Sequence, residues 1–185
     1  LGFSQSRGTK LLSLNSLFRR PGLYEVEFGT TLREVVEGLG GGLRSGPLKG
    51  LIIGGPLAGV IPPELLDTRL GFEELREIGA GVGHGGVVAF DDRTSILELA
   101  HHVFSFGAYE SCGKCTPCRL GSPRVEQLFA MTRQSGKHLE YAVPEFNAIV
   151  GALTQASLCG HGTGLGAFAA SLGRYYRKEL EGCLG

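Results

Sequence analysis

Three thiols fall close together in the stretch Glu110-Ser-Cys-Gly-Lys-Cys-Thr-Pro-Cys-Arg-Leu-Gly121, where Cys112, Cys115 and Cys118 occupy every third position. Cys-x2-Cys-x2-Cys opens the run that holds iron–sulfur clusters, because two-residue loops let successive thiolates curl around one cubic cluster. A fourth ligand is then required. In the usual run it follows after three more residues, but that position here is Ser122, so the fourth thiolate comes from farther along the chain. Cys159 and Cys183 are the remaining candidates. Zinc is the main rival occupant, yet its sites are built mostly from two pairs of ligands, and a triple plus a lone cysteine suits a [4Fe–4S] cluster better. Plain unligated thiols are the third reading.

The residues around the thiols have two readings each. Lys114 and Arg119 either offset the negative charge of a cluster or form a solvated loop edge. His161, two positions after Cys159, either hydrogen-bonds a cluster sulfur or ligand or points to solvent from its glycine-rich loop. Glu110 reads as a residue that caps or closes the loop. His84, His101, His102 and His138 show no metal-ligand spacing, and no nucleophile or acid–base pair stands out. Gly81-x-Gly83-x-x-Gly86 matches a dinucleotide-binding pattern, but that pattern needs a strand before it and a helix after it, and Val87 to Phe90 reads as a strand. Gly162-x-Gly164-x-x-Ala167 follows Cys159 rather than a strand, so it reads as a turn leading into a helix.

Helices must position the thiols. Ser95 and Glu98 form a capping box for a helix along Ile96, Leu97, Ala100, Val103 and Phe104 to about Gly107. Ser122-Pro123 predicts the start of a second, carrying Val125, Leu128, Phe129 and Thr132 to Gly136. A third starts near Val143-Pro144 and leaves at Ser157-Leu-Cys159; a fourth covers Gly164 to Leu180. Four amphipathic helices with short connections predict a bundle. Forty residues separate Cys118 from Cys159, one helix down and another back, which brings Cys159 beside the triplet and makes it the expected fourth ligand. Cys183, at the chain's end, is left as an additional thiol.

Residues before about Asp92 read differently. Lys10 to Asn15 and Leu23 to Phe28 predict a hairpin, with Pro21-Gly22 at the central positions of a type II turn. Thr30 or Thr31 caps a short helix along Leu32, Val35, Val36 and Leu39 that Gly40 stops. Leu48 to Ile53 and Val87 to Phe90 are apolar strands, and Phe72 to Arg76 a small helix. Glycine makes up 31 of 185 residues, about twice its usual ~7% share, and clusters between apolar runs as tight turns and close approaches do. The expected class is α+β: a small sheet with a helix on one face, then an all-α domain, divided near Asp91-Asp92-Arg93.

Charges balance at 18 against 18 and no apolar run is long enough to span a membrane, so neither nucleic acid nor direct membrane insertion is expected. Five cysteines, three of them packed into one loop, do not read as a disulfide framework and point to a reducing compartment, hence the cytoplasm.

The stretch Glu110 to Gly121, together with Ser157-Leu-Cys159, closely resembles the motif of the NADH-oxidising flavoprotein subunit of respiratory complex I and its relatives. Upstream, Gly8 to Ser13, Arg20 to Glu25 and Gly54-Gly-Pro56 resemble that family's soluble-ligand-binding β-grasp (SLBB, ubiquitin-like) domain, so the resemblance covers nearly all of the chain. Leu11 to Phe28, Gly59 to Asp91 and Val103 to Cys112 are most similar to the β subunit of NAD-dependent, molybdenum-containing formate dehydrogenase, with diaphorase subunits of NAD-reducing hydrogenases next. The resemblance implies that Cys112, Cys115, Cys118 and Cys159 ligate one [4Fe–4S] cluster relaying electrons between FMN and other clusters, beside a small iron–sulfur subunit and a large catalytic subunit. Family members carry an N-terminal domain with the FMN and NADH sites, so the chain is expected to be a C-terminal fragment: residues 1–8 a remnant or linker, 9–92 the β-grasp domain, 93–185 the helical iron–sulfur domain. Hydride transfer needs the flavin beside the nicotinamide, so the fragment's own chemistry is expected to be one-electron transfer. The alternative is a non-catalytic assembly module whose β-grasp domain docks a partner and whose cysteines hold a structural metal; a weaker one gives that domain a small soluble ligand.

Overall fold

The computed structural model describes residues 1–135 and 141–184. Gly136 and His138 therefore lie outside the described residues. The chain separates into two compact units, Leu1–Thr94 and Ser95–Gly185.

In the first unit, β3 (Thr9–Leu14) and β4 (Gly22–Glu27) pair antiparallel, β5 (Leu48–Ile53) pairs antiparallel with β6 (Val60–Ile61) and β7 (Gly86–Asp91), and β7 runs parallel to β3, giving the order β4-β3-β7-β5-β6. Alternation sets the buried face: Leu12 and Leu14 of β3 turn inward while Leu11 and Ser13 stay exposed. Leu51, Ile52 and Ile53 are buried in succession, as an apolar run covered on both faces should be. Pro21-Gly22 does not make a tight turn. Gly22 is already the first residue of β4 and pairs with Leu14, and residues 15–21 make the reversal because Phe18, fully buried, bridges to Leu43 and draws the loop inward.

Thr31 and Glu34 cap each other reciprocally, Thr31 N donating to Glu34 Oε2 (2.8 Å) and Glu34 N to Thr31 Oγ1 (3.2 Å). The helix they start widens into a π-turn over Glu34–Leu39, and α1 (Phe72–Glu77) follows. The short strands β1 (Gly2–Phe3) and β2 (Ser6–Arg7) pair with each other, and Ser6 Oγ accepts from Phe72 N at 2.9 Å, so residues 1–8 are bound into this unit. One glycine of the loop before β7 is required sterically: a Cβ on Gly83 would run into the backbone of Gly54, just after β5. No helix opens after Gly86, which starts β7.

The second unit is helical: α2 (Ile96–Tyr109), α3 (Thr116–Ser135), α4 (Ala142–Ala156), α5 (Gly160–Tyr175) and α6 (Arg177–Leu184). Phe104 of α2 lies against Phe129 of α3 and Phe168 of α5 (centroids 6.1 and 6.4 Å), and Phe129 meets Phe146 of α4 edge-on at 5.8 Å. One buried phenylalanine per helix thus binds α2 to α5 together, each contributing roughly 1.5–3 kcal/mol by burial. Small residues let the helices close: a Cβ on Gly121 would lie 2.8 Å from Ile149.

The helix ends depart from the sequence expectation. Helix α3 starts at Thr116, not at Ser122, and Pro117 in its first turn is the proline that costs no hydrogen bond. Pro123 lies inside the helix, where it removes one backbone bond; the neighbouring Ser122 Oγ bonds the Cys118 carbonyl at 2.6 Å. Helix α5 begins at Gly160, and Tyr176 (φ −123°, ψ 26°) separates it from α6, dividing the single helix predicted over Gly164 to Leu180. Ser95 caps α2 by accepting from Glu98 N at 3.4 Å, but the Glu98 carboxylate pairs with Arg133 rather than completing a capping box. Among the described residues no helix is long and apolar enough to cross a membrane.

Candidate metal centre

Contacts between Glu98 and Arg133, Arg124 and Glu145, Thr154 and Gly166, and Gly107 and Leu165 set neighbouring helices antiparallel. The ends of α2 and α4 and the starts of α3 and α5 therefore share one end of the helical unit, and the cysteines lie there. Cys115 directly precedes α3, its carbonyl accepting from Arg119 N at 2.9 Å. Cys159 holds the corresponding place before α5, extended at φ −150° and ψ 169°, its carbonyl accepting from Thr163 N at 3.2 Å. Both residues sit at the positive end of a helix dipole.

The two loops touch. The Leu158 N–H, one residue before Cys159, donates to the Cys115 sulfur and is the main cause that holds this thiol below the ordinary thiol range; burial opposes it, while the N–H groups of Cys118 and Cys115 and the Arg119 charge assist. Gly113 turns the loop between Cys112 and Cys115 at φ +75°, and Arg119 Nη1 clasps its carbonyl at 3.2 Å. Arg119 is thus part of the loop's framework, while Lys114 is exposed. Glu110 ends α2 as its C-cap.

The four thiols differ in exposure: Cys112 and Cys159 are exposed, Cys115 is intermediate and Cys118 is buried. Helix α5 can approach Cys118 because residue 162 is glycine. A Cβ there would run into Ser157 and lie 3.4 Å from the Cys118 Cβ. Ser111 Oγ is 3.1 Å from Cys118 Sγ and accepts from Gly113 N at 3.4 Å. Ser157 Oγ is buried without a hydrogen-bond partner. Neither serine was singled out in the sequence; the signal was adjacency, each standing one or two positions before a cysteine.

This setting fits an iron–sulfur cluster. The donors are thiols at two helix starts, backbone N–H groups point at sulfur, and a buried hydroxyl lacks a protein acceptor. Among the described residues, no three His, Cys, Asp or Glu side chains gather around the volume of one metal ion. Sulfurs around one zinc stand about 4 Å apart, whereas a cluster places its own iron and sulfide between the ligands.

Cys183 lies elsewhere. It lines a cleft with Leu97, His101, Glu126 and Arg133, formed by the first half of α2 and the last half of α3, at the far end of the unit. His161 turns neither to sulfur nor to solvent: its Nε2 is 2.8 Å from the Gly107 carbonyl, which can only accept, so Nε2 carries the proton and secures α5 to the last turns of α2. His101 pairs with Glu126, His102 is exposed, and His84 Nδ1 accepts from Gly86 N.

Residues 98–183 match the family model described as the NADH-ubiquinone oxidoreductase-F iron-sulfur binding region. The chain is 44% identical over 122 residues, 65% of its own length, to the second of the F-type subunits of NADH-quinone oxidoreductase in Rhizobium meliloti, and covers 29% of that protein. It is 32% identical over 183 residues, 98% of its length, to the F-type NADH-quinone oxidoreductase subunit of Buchnera aphidicola, and covers 41% of it. A crystal structure of a NAD+-reducing [NiFe]-hydrogenase in the H2-reduced state superposes on the whole chain with a TM-score of 0.87 at 31% identity, and the chain covers 31% of the matched polypeptide. The chain thus spans well under half the length of the relatives it matches.

Proposed function

We propose, from the match of residues 98–183 to the NADH-ubiquinone oxidoreductase-F iron-sulfur binding region, that the chain is the electron-relay part of a NAD-linked flavoprotein oxidoreductase subunit. The [4Fe–4S] cluster of this family region supplies one-electron transfer when bound. Cys112, Cys115, Cys118 and Cys159 would hold it. The observation that carries this reading is the close approach at Gly162, whose Cβ position would meet Ser157 and lie 3.4 Å from the Cys118 Cβ, so that the residues around Cys159 lie against the triplet. The chain's own residues do the positioning: Gly113 and Arg119 shape the loop, the starts of α3 and α5 set positive dipole ends beside the thiols, and the burial of Cys118 keeps water from one side.

In the parent protein the cluster would relay electrons between FMN, which exchanges hydride with the nicotinamide, and further clusters of a small iron–sulfur subunit and a large catalytic subunit. Numbered from β3, the five-stranded sheet has the order 2-1-5-3-4 with its central pair parallel, which supports the β-grasp (SLBB) reading of the first unit; docking neighbouring subunits is the role that suits it. Within the family, the likeness of residues 11–28, 59–91 and 103–112 favours NAD-dependent formate dehydrogenase as the parent, with complex I and NAD-reducing hydrogenase the other members of the set. Formate-dependent NAD reduction by the complex purified with its native partners tests that choice, and its absence overturns it.

The ligand assignment is tested by anaerobic reconstitution of the full chain, with iron and sulfide analysis and electron paramagnetic resonance after reduction. The wild type and Cys183→Ser are expected to load about four irons each, and Cys159→Ser to lose the intact cluster. An undiminished signal in Cys159→Ser, or stoichiometric zinc without iron in the wild type, overturns it; the latter favours a structural metal in an assembly module.

A further inference from the structure

Two serine hydroxyls, one from each cysteine loop, lie at the site: Ser111 touches the buried Cys118 thiol, and Ser157 lies against the turn of α5 that faces it. Ser111 Oγ lies 3.1 Å from Cys118 Sγ and accepts from Gly113 N at 3.4 Å. A ligating thiolate carries no proton, so in this contact the hydroxyl donates and the sulfur accepts. Ser157 comes from the other side. Its Oγ is buried and makes no hydrogen bond, and a Cβ added to Gly162 would touch Ser157 while lying 3.4 Å from the Cys118 Cβ. The hydroxyl therefore sits against the turn of α5 that faces Cys118.

Buried hydroxyls find partners in nearly all proteins, and one that lacks a protein acceptor marks an acceptor supplied by something else. Ser157 Oγ makes no hydrogen bond to the Cys118 thiol itself, so the acceptor that suits it at this site is a sulfur of the bound cluster. The surroundings strengthen such bonds, because Cys118 is only 4% exposed and water competes little there. Cys112 and Cys159, by contrast, are exposed.

We infer that Ser111 and Ser157 are positioning residues that raise the reduction potential of the [4Fe–4S] cluster by donating hydrogen bonds to sulfur, Ser111 to that of Cys118 and Ser157 to one of the bound cluster. This rests on the ligand assignment above. The reduced cluster holds one more electron, whose charge spreads over its sulfurs, so donors to sulfur stabilise the reduced form more than the oxidised one. No proton leaves either serine and no covalent bond changes; the electron comes from the external reductant.

The test uses the full chain, reconstituted anaerobically and titrated with dithionite while reduction is followed by electron paramagnetic resonance. Ser111→Ala and Ser157→Ala are each expected to keep the wild-type iron and sulfide content and to move the midpoint to more negative potential. The shift should be up to roughly tenfold in the reduction equilibrium, about 59 mV for one electron. Ser111→Thr, which keeps the hydroxyl, should restore the wild-type midpoint. In deuterated buffer, pulsed resonance on the wild type should detect an exchangeable deuteron coupled to the cluster that is weakened in Ser157→Ala. Unshifted midpoints with fully loaded clusters overturn the inference, as does a Ser157→Ala protein that merely loads less cluster at the wild-type midpoint. A wild type that assembles no cluster instead overturns the ligand assignment.

Discussion

The two ends of the helical unit are built by opposite rules. At the end that carries Cys183, away from the other four cysteines, long charged side chains satisfy one another: Arg133 Nε binds Glu98 Oε1 at 2.7 Å, Arg133 Nη1 contacts His101 Nδ1 at 3.2 Å, and His101 Nε2 meets Glu126 Oε1 at 3.2 Å. These groups line a cleft of about 780 Å³, yet their donors and acceptors are spent on each other. At the cysteine end Arg119 and His161 bind backbone carbonyls, and the side-chain donors beside sulfur are short: the Ser111 hydroxyl and the partnerless Ser157 hydroxyl. The end that holds this cleft is thus the chemically quieter one. A site is better recognised by donors that await an acceptor than by the size of a cavity.

Glycine substitutions should separate the two ends most strongly. Gly162→Ala places a methyl against Ser157, whose Cβ would stand 2.6 Å away, in a position that a side-chain rotation cannot relieve. The start of α5 must then move off Cys118. Urea unfolding is expected to show a loss of about 1–3 kcal/mol, reduced by the better helix propensity of alanine, together with a lower iron content after reconstitution. Gly173, farther along α5, has nothing within 4 Å of its Cβ position, so Gly173→Ala should gain up to about 1 kcal/mol with iron content unchanged. Equal effects at the two positions would show that the cysteine end is no more tightly fitted than the rest of the helix.

The same contrast explains what the sequence could and could not disclose. The Cys-x2-Cys-x2-Cys loop and the strand-rich and helix-rich halves were legible because periodicity and spacing are local properties. The start of α3 was misread because two serine or threonine–proline pairs compete for it. Thr116-Pro117 wins over Ser122-Pro123, since the earlier start buries Cys118 and Ser122 inside the helix. The wide loop between β3 and β4 was hidden for a related reason: Pro21-Gly22 has turn chemistry, but the contact of Phe18 with Leu43 overrides it. Gly162 and Ser157 carry no pattern of their own, and only the crossing of α5 over Cys118 gives them meaning.

An acid titration offers a smaller contrast between the ends. Arg124 grips Glu145 through two hydrogen bonds of 2.6 and 2.8 Å, joining α3 to α4, and holds the Glu145 carboxyl below the ordinary carboxylate range. A carboxyl whose folded pKa is depressed stabilises the protein above its unfolded value, about 4.3, and loses that contribution as pH falls through the folded value. Both side chains are about one-third exposed (34% and 31%), so screening limits the pair to about 1 kcal/mol. Glu145→Gln should lower stability at pH 7, and the difference from the wild type should shrink steadily below about pH 4. A difference that is unchanged at pH 2 would show that Glu145 acts through packing rather than charge.

The smallest effect is expected at the charged end itself. A guanidinium donates and never accepts, so His101 Nδ1 must be the acceptor in its contact with Arg133, and the Nε2 proton is the one offered to Glu126. The arrangement fixes one neutral tautomer of His101, which nitrogen chemical shifts of the imidazole would report directly. Arg133→Met removes two contacts but keeps most of the side chain's apolar length over α2, and Arg133 is 40% exposed, so the cost should stay within about 1 kcal/mol. The tautomer preference should relax while the cluster's content and midpoint stay at wild-type values, because no residue of this network touches a cysteine of the triplet or Cys159. A shifted midpoint in Arg133→Met would mean that the two ends are electrostatically coupled along α3, and the division between a self-satisfied end and a waiting one would then fail.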